Sequence, residues 1–267
     1  MSTPFKIIQV SDIHFGGENV AATDAALERF HAEQPDLLIA AGDLTRDGAA
    51  SEFDTAKAWL DRAPRPQLVA PGNHDTPYLG PLEIVERLVS PWKRYEQRFG
   101  PADDVAWQGK GASVFAINTA RGAQIRWNWS KGAVSTGQTR RLCRRLHASP
   151  AGDVRIVVCH HPLIEIVGGP MTARVRGGTH AAETLVEAGA DLVLSGHIHT
   201  PFVAPYPFGD GKTVAVGSGT LSVRERGMPP SFNIIEIEGR DVRVTALAFE
   251  RTHFEVLRSW AFERREP

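Results

Sequence analysis

Cysteine is almost missing from this 267-residue chain, which has two, Cys143 and Cys159. Two thiols cannot form the framework of a small disulfide-stapled secreted domain, so that class is excluded. Net charge is almost missing as well. Thirty Lys and Arg face 31 Asp and Glu, leaving −1 at pH 7 with His neutral. The basic footprint of a duplex-binding protein is therefore lacking, and a nucleic-acid duplex is disfavoured as a partner. No apolar run approaches the roughly 18–20 residues that a membrane-spanning helix needs, so no membrane partner is expected. Repeats of fixed period, low-complexity segments and linkers are also lacking, so a single domain over residues 1–267 is expected. The opening MSTPFKIIQV leads straight into a strand, without a charged stretch followed by an apolar one. A cytoplasmic address is the expectation. With 42% hydrophobic and 23% charged residues, the composition is that of an ordinary globular protein with a sizeable core.

What is present is an alternation of short apolar runs with longer amphipathic stretches. Residues 5–10 (FKIIQV) read as a strand. Asn19 is placed to cap a helix whose apolar face includes Ala22, Ala26, Leu27 and Phe30. Residues 36–41 (DLLIAA) form a continuous apolar run, as in a strand buried on both faces. Ser51 is the expected cap of a second helix to about Arg62, and a strand follows at 67–70. This β-α-β-α-β order predicts a parallel sheet. A helical stretch at 81–99, broken at Pro91, is followed by one or two strands over 105–118. A basic helix at 137–147, the strand 154–159, a helix ending near Gly189 and the strand 191–194 come next. Asp210-Gly211 reads as a hairpin turn, and the tail from about Ser231 alternates as antiparallel strands. Two sheets with outer helices are expected.

Chemistry-bearing residues recur where these strands end. The first is followed by Asp12-Ile13-His14, the second by Gly42-Asp43, the third by Gly72-Asn73-His74-Asp75. VRIVVC is followed by His160-His161, and DLVL by Gly196-His197-Ile198-His199. Carboxyl ends of parallel strands face one crevice, so sequence-distant segments deliver their side chains to one place. Asp12, His14, Asp43, Asn73, His160, His197 and His199 are an oxygen-and-nitrogen donor set without thiolate, suited to Mn, Fe, Co, Ni or Zn. Seven donors exceed one tetrahedral site, so two metals are the simpler account. Glycines before Asp43, Asn73 and His197 fit tight turns with close backbone approach.

The pattern D-x-H, GD, GNHD, H, GHxH resembles the calcineurin-like metallophosphoesterases, nearest to class III cyclic-nucleotide phosphodiesterases and related bacterial phosphodiesterases. The resemblance runs from Phe5 to about Glu238 and implies a four-layer α/β/β/α sandwich of two mixed sheets. It also implies that Asp12, His14 and His199 hold one metal, that Asn73, His160 and His197 hold the other, and that Asp43 bridges. His74 would be the catalytic histidine, with Asp75 orienting it.

Two cations about 3.5–4 Å apart activate a bridging hydroxide for in-line attack on phosphorus, and a histidine at the mouth can protonate the leaving oxygen. Two divalent ions, two aspartates and one hydroxide sum to about +1, which matches a diester monoanion. A monoester dianion would want extra cations, for which Arg46, Arg121 and Arg174 are candidates. The expected activity is hydrolysis of small-molecule phosphodiesters, with cyclic nucleotides among the candidates. The rivals are a phosphomonoesterase, a lipid-precursor pyrophosphatase, a nuclease, or a non-catalytic metal-binding interaction module.

Other residues have plainer readings. Cys159 should point away from its neighbour His160, as a buried thiol. Arg140, Arg141, Arg144 and Arg145 read as the solvated face of a basic helix. His161 divides between substrate contact or support of the ligands and simple packing. Trp127 and Trp129 share one face of a loop and could cap the crevice, pack on a second copy in a homo-oligomer, or join the core. The glycine-rich loop at 163–179, with Arg174, is the other candidate wall.

Overall fold

The structure, a computed structural model, describes residues 4–78, 80–125, 128–165 and 174–266. The chain begins β1 (Phe5–Val10), α1 (Val20–Glu33), β2 (Leu37–Ala41), α2 (Ala50–Arg62) and β3 (Gln67–Ala70). β1, β2 and β3 pair in parallel, as the alternation of strand and helix predicts. Two short helices follow, α3 (Pro81–Val89) and α4 (Lys93–Phe99). The break falls around Pro91, which cannot donate a helical hydrogen bond, and Gly100, at φ 83, closes α4.

The second half runs β4 (Val105–Gly109), β5 (Ala112–Ala116), α5 (Thr136–His147), β6 (Val154–Val158), α6 (Gly178–Glu187), β7 (Leu192–Ser195), β8 (Phe202–Pro205) and β9 (Val214–Gly217). Three antiparallel strands, β10 (Ser231–Glu238), β11 (Asp241–Glu250) and β12 (His253–Glu263), end it. Among the described residues these strands make two mixed six-stranded sheets, ordered β12-β11-β10-β1-β2-β3 and β4-β5-β6-β7-β9-β8.

Strand alternation explains the layers. Ile7, Leu37 and Ile39 on the first sheet pack with Val114, Ile156, Val158 and Leu194 of the second in one buried cluster. Their neighbours Ile8, Val10, Leu38 and Ala40 turn the other way, onto Phe30, Phe53 and Trp59 of α1 and α2. On the second sheet Val157 and Val193 pack on Leu142, Leu146 and Leu185 of α5 and α6. Both faces of each central strand are thus covered, which is why residues 37–41 are continuously apolar. Full burial of such a side chain contributes about 1.5–3 kcal/mol, against a backbone ordering cost of about 1–2 kcal/mol per residue. The result is the four-layer α/β/β/α sandwich.

Local signals differ in how well they place helix starts. Asn19 caps α1 as expected, accepting the Ala22 N–H at 3.1 Å. Ser51 does not cap α2; it lies in the first turn, because the helix begins at Ala50. The Glu52 carboxylate accepts the N–H groups of Asp47 (2.8 Å) and Ala49 (3.2 Å) instead. Ser135 caps α5.

A polar clamp joins the sheets where the site begins. Gln9 is fully buried at the end of β1. Its amide donates to Ser195 O (3.0 Å) and Val216 O (3.3 Å) on the second sheet. Asn233 of β10 donates to Gln9 Oε1 and to Gly217 O. Buried polar groups satisfied in this way fix relative position, because breaking one leaves an unpaired buried donor.

Candidate active site

The carboxyl ends of β1, β2 and β3 lie side by side, and those of β6 and β7 adjoin across the sandwich. Asp12 and His14 follow β1, Asp43 follows β2, Asn73 follows β3, His160 follows β6, and His197 and His199 follow β7. All seven are buried. Donor atoms of Asp12, His14 and His199 lie within 4.8 Å of one another, as do those of Asp12, Asp43 and His160. His199 Nε2 is 3.1 Å from Asp12 Oδ1, and His160 Nε2 is 3.2 Å from Asp43 Oδ2. His14 Nε2 stands 3.4 Å from His199 Nε2 and 3.9 Å from Asp43 Oδ2.

Three imidazoles are aimed by backbone carbonyls. Nδ1 of His14 donates to Thr45 O (3.2 Å), that of His160 to Ala41 O (2.9 Å), and that of His199 to Arg224 O (2.7 Å). A carbonyl only accepts, so each Nδ1 carries the proton and each Nε2 faces the cluster.

The backbone is held in an uncommon conformation here. Asp12, His14, Asp43, His197 and His199 all have φ between 52 and 70. Non-glycine residues in that region cost on the order of 1–3 kcal/mol each and concentrate at functional sites. The expected close approach at the glycines also holds. A Cβ on Gly72 would collide with the Asp43 side chain, and one on Gly196 would sit 2.5 Å from Asp12 Oδ2.

The electrostatics favour cations. Burial opposes the charge on Asp43, but His160, His74 and His14 outweigh it and hold the carboxyl well below its usual range. Asp12 is likewise held low, burial being outweighed by His199 and His160. Burial keeps His197 neutral, its pKa lowered to about 3, and His14 neutral, lowered to about 4. His160 moves the other way. Burial lowers it, but Asp43 and Asp12 push it up to about 9.

Asp12 Oδ1, Asn73 Oδ1 and His160 Nε2 are buried and make no hydrogen bond, despite the short separations above. Orphaned buried acceptors and donors are costly unless something pairs with them. Overlapping buried groups of two carboxylates and several imidazole nitrogens, with an orphaned amide oxygen on the turn after β3, are what a pair of cations satisfies.

The sequence model of calcineurin-like phosphoesterases matches residues 5–201. The chain belongs to the calcineurin-like phosphoesterase family. It is 25% identical, over 87% of both chains, to a probable cyclic nucleotide phosphodiesterase of Synechococcus. Its fold is similar to that of PhoD (TM-score 0.73, 10% identity, 98% of this chain and 70% of that one). It is also similar to a purple acid phosphatase from yellow lupin seeds (TM-score 0.71, 13% identity). The alignment covers 99% of this chain but 54% of the lupin one.

In this phosphoesterase His74 stands at the mouth of the crevice, its ring 4.7 Å from that of His14. Nδ1 of His74 donates to Arg46 O at 2.6 Å. This corrects the role expected of Asp75, which does not orient the ring. The Asp75 carboxylate instead accepts N–H groups of Gly72 (2.8 Å), Thr45 (2.9 Å) and Leu44 (3.2 Å), pinning the turns that present Asp43 and Asn73. Burial and the neighbouring Asp43 charge raise its pKa to about 6.

Both ring nitrogens of His161 are engaged by the protein. Nε2 donates to Ser130 O at 2.7 Å, and Nδ1 accepts the Thr119 hydroxyl at 2.9 Å. It braces the loop that walls the crevice. Cys159 is a buried thiol pushed up to about 12, its Sγ donating to His161 O, as its strand position predicts.

A cavity of about 990 Å³ opens beside Asn73 and His74, lined further by Thr76, Tyr78, Ile125 and Trp129. Trp129 therefore walls the crevice rather than the core, with the Arg87 guanidinium over its ring at 5.5 Å. Trp127 lies outside the described residues. Two of the expected substrate residues are placed elsewhere. Arg121 is a strut, donating to Asn118 O and Ala120 O and touching Gln138 Oε1. Arg174 lines a separate cavity of about 570 Å³ with Arg176 and His180. Arg46 does line the crevice, but it is paired with Asp47 at 2.8 Å. Unforeseen in the sequence is the loop at 223–227. It supplies the carbonyl that aims His199 and carries Arg224 and Arg226 onto the site. No local spacing marks it, because the contact with His74 spans 150 residues.

Proposed function

We propose that this chain is a dinuclear metal-dependent phosphodiesterase acting on small-molecule phosphodiesters, cyclic nucleotides among them. The carrying observation is the buried convergence of Asp12, Asp43 and His160 donor atoms, with Asp12 Oδ1, His160 Nε2 and the amide oxygen of Asn73 left without hydrogen-bond partners, beside a half-buried His74. The name of the Synechococcus relative supports the diester reading. Asp12, His14 and His199 would hold one cation, Asn73, His160 and His197 the other, with Asp43 between them. The donor set suits manganese, iron, zinc or cobalt. When bound, two such ions activate water and neutralise charge on the phosphoryl oxygens.

The protein's own groups do the rest. His74 is fixed through Nδ1, which leaves Nε2 toward the crevice to hand a proton to the leaving oxygen. The Asp75 carboxylate keeps the Asp43 and Asn73 turns in register. Tyr78, Ile125 and Trp129 line the cavity beside His74 and receive the ester group. Among the described residues no helix is long and apolar enough to cross a membrane.

The test is hydrolysis of bis(p-nitrophenyl) phosphate after chelation and reconstitution with manganese, iron, zinc or cobalt singly. Metal-restored turnover, faster than that of p-nitrophenyl phosphate, is expected. No diester turnover with any of these metals would remove the reading.

A further inference from the structure

The loop at 223–227 sits between β9 and β10 and is fastened to the crevice floor. Val223 N–H donates to Gly17 O at 3.1 Å, and the Arg224 carbonyl accepts Nδ1 of His199 at 2.7 Å. Two guanidiniums are thereby set on the rim. Arg224 Nη1 lies 3.5 Å from Nε2 of His74. Arg226 Nη1 donates to the carbonyl of His197 at 3.3 Å. Arg226 is half-buried in a left-handed conformation, φ 49, and Gly227 follows at φ 85. Among the described residues neither guanidinium forms an ion pair with a carboxylate, unlike Arg46, which has Asp47. Two like charges held side by side on a strained loop want an anion.

The charge count says which anion. Two divalent ions, Asp12, Asp43 and a hydroxide sum to about +1, already balanced by one phosphodiester. Arg224 and Arg226 add two positive charges beyond that balance, Arg224 beside His74 and Arg226 against the backbone of His197. We propose that Arg224 and Arg226 bind a second phosphate adjoining the scissile one, so that the preferred substrates are phosphoanhydride diesters. In that hydrolysis water adds to one phosphorus and the P–O–P bond breaks. The leaving group is then a phosphomonoester, whose developing negative charge meets Arg224 and whose oxygen is beside His74. The inference rests on the phosphodiesterase reading and narrows its substrate class.

The experiment compares wild-type protein with Arg224→Gln, Arg226→Gln and the double variant, each reconstituted with manganese and checked for metal content. The substrates are ADP-ribose, bis(p-nitrophenyl) phosphate and p-nitrophenyl phosphate. Wild type should cleave ADP-ribose to AMP and ribose 5-phosphate with higher kcat/KM than the chromogenic diester. Each variant should lose roughly 10- to 150-fold on ADP-ribose, the range of one hydrogen bond to a charged group. The loss on bis(p-nitrophenyl) phosphate should be at least tenfold smaller, and lysine at either position should recover part of it. Equal losses on both diesters, or a loss confined to p-nitrophenyl phosphate, would overturn the proposal. So would a wild-type enzyme that turns over the chromogenic diester but not ADP-ribose. Absence of all turnover would instead count against the phosphodiesterase reading itself.

Discussion

The floor of the crevice and its walls are built by different means. The floor is seven side chains leaving the ends of five buried strands, every one of them on backbone braced by two sheets and the Gln9 clamp. The walls are loops, at 124–125, 128–130 and 223–227, held by scattered hydrogen bonds such as His161 Nε2 to Ser130 O and His199 Nδ1 to Arg224 O. A floor of this kind fixes a reaction class, because the donor atoms converge whatever the ester carries. Walls of this kind fix which ester enters.

That contrast can be broken most severely at Asp43, whose side chain faces His14 and His160 at once. If it links both cation positions, Asp43→Asn should lower turnover by orders of magnitude and reduce metal content together. A variant that retains two metals per chain and a near-normal rate would separate the floor from the chemistry. His74→Ala comes next. The ring is anchored by Arg46 O and stands at the edge of the His14–Asp43 cluster, outside the seven proposed ligands, so both metals should stay while activity falls about 10²- to 10⁴-fold, the usual range for a lost general acid. The deficit should shrink for nitrophenolate leaving groups; a deficit independent of leaving group would deny the proton-donor role.

The walls should give smaller and selective effects. Trp129 lines the cavity next to Asn73 and His74, and stacking on a base gives about 1–3 kcal/mol. Trp129→Ala is therefore expected to raise KM for nucleotide diesters roughly 5- to 150-fold and to spare a glycerol diester. Equal losses on the two would place the tryptophan in folding rather than recognition.

The smallest effect concerns protons. Burial works against a charged His160, but Asp43 and Asp12 push its pKa up from 6.5 to about 9. Near neutral pH a cation must displace that proton. Uptake should release about one proton per chain and tighten as pH rises toward that value. In the protein before metal loading, the same raised pKa stabilises the fold fully below 6.5, and the contribution is lost as pH climbs through about 9. Calorimetric titration in two buffers of different ionisation enthalpy reads the proton directly; identical apparent heats would deny it.

The floor was legible in the sequence because its signals are local. D-x-H, GD, GNHD and GHxH each adjoin an apolar strand, and parallel strands deliver their ends to one place. Two sheets with outer helices followed from short apolar runs such as residues 37–41, while the four-layer order came with the resemblance to the metallophosphoesterases. The walls were legible only in part, because loop residues are set by contacts distant in sequence. Arg121 looked like a pocket cation, yet Gln138 and two carbonyls hold it as a strut. Asp75 looked like a partner of its neighbour His74, but its oxygens turn to the backbone of Leu44, Thr45 and Gly72. Arg224, 150 residues from His74, reaches it at 3.5 Å, and no spacing in the sequence shows that. The Ser51 cap failed for a related reason: Glu52 satisfies the helix start from within.

The central claim is that strand ends from both sheets hold two cations that together drive diester hydrolysis. A titration of chelated protein with manganese, following bound metal and hydrolysis of bis(p-nitrophenyl) phosphate in the same samples, tests it most directly. The account predicts two ions per chain, with activity rising as the second one binds. Full activity at one ion per chain, or two bound ions without turnover, would contradict it.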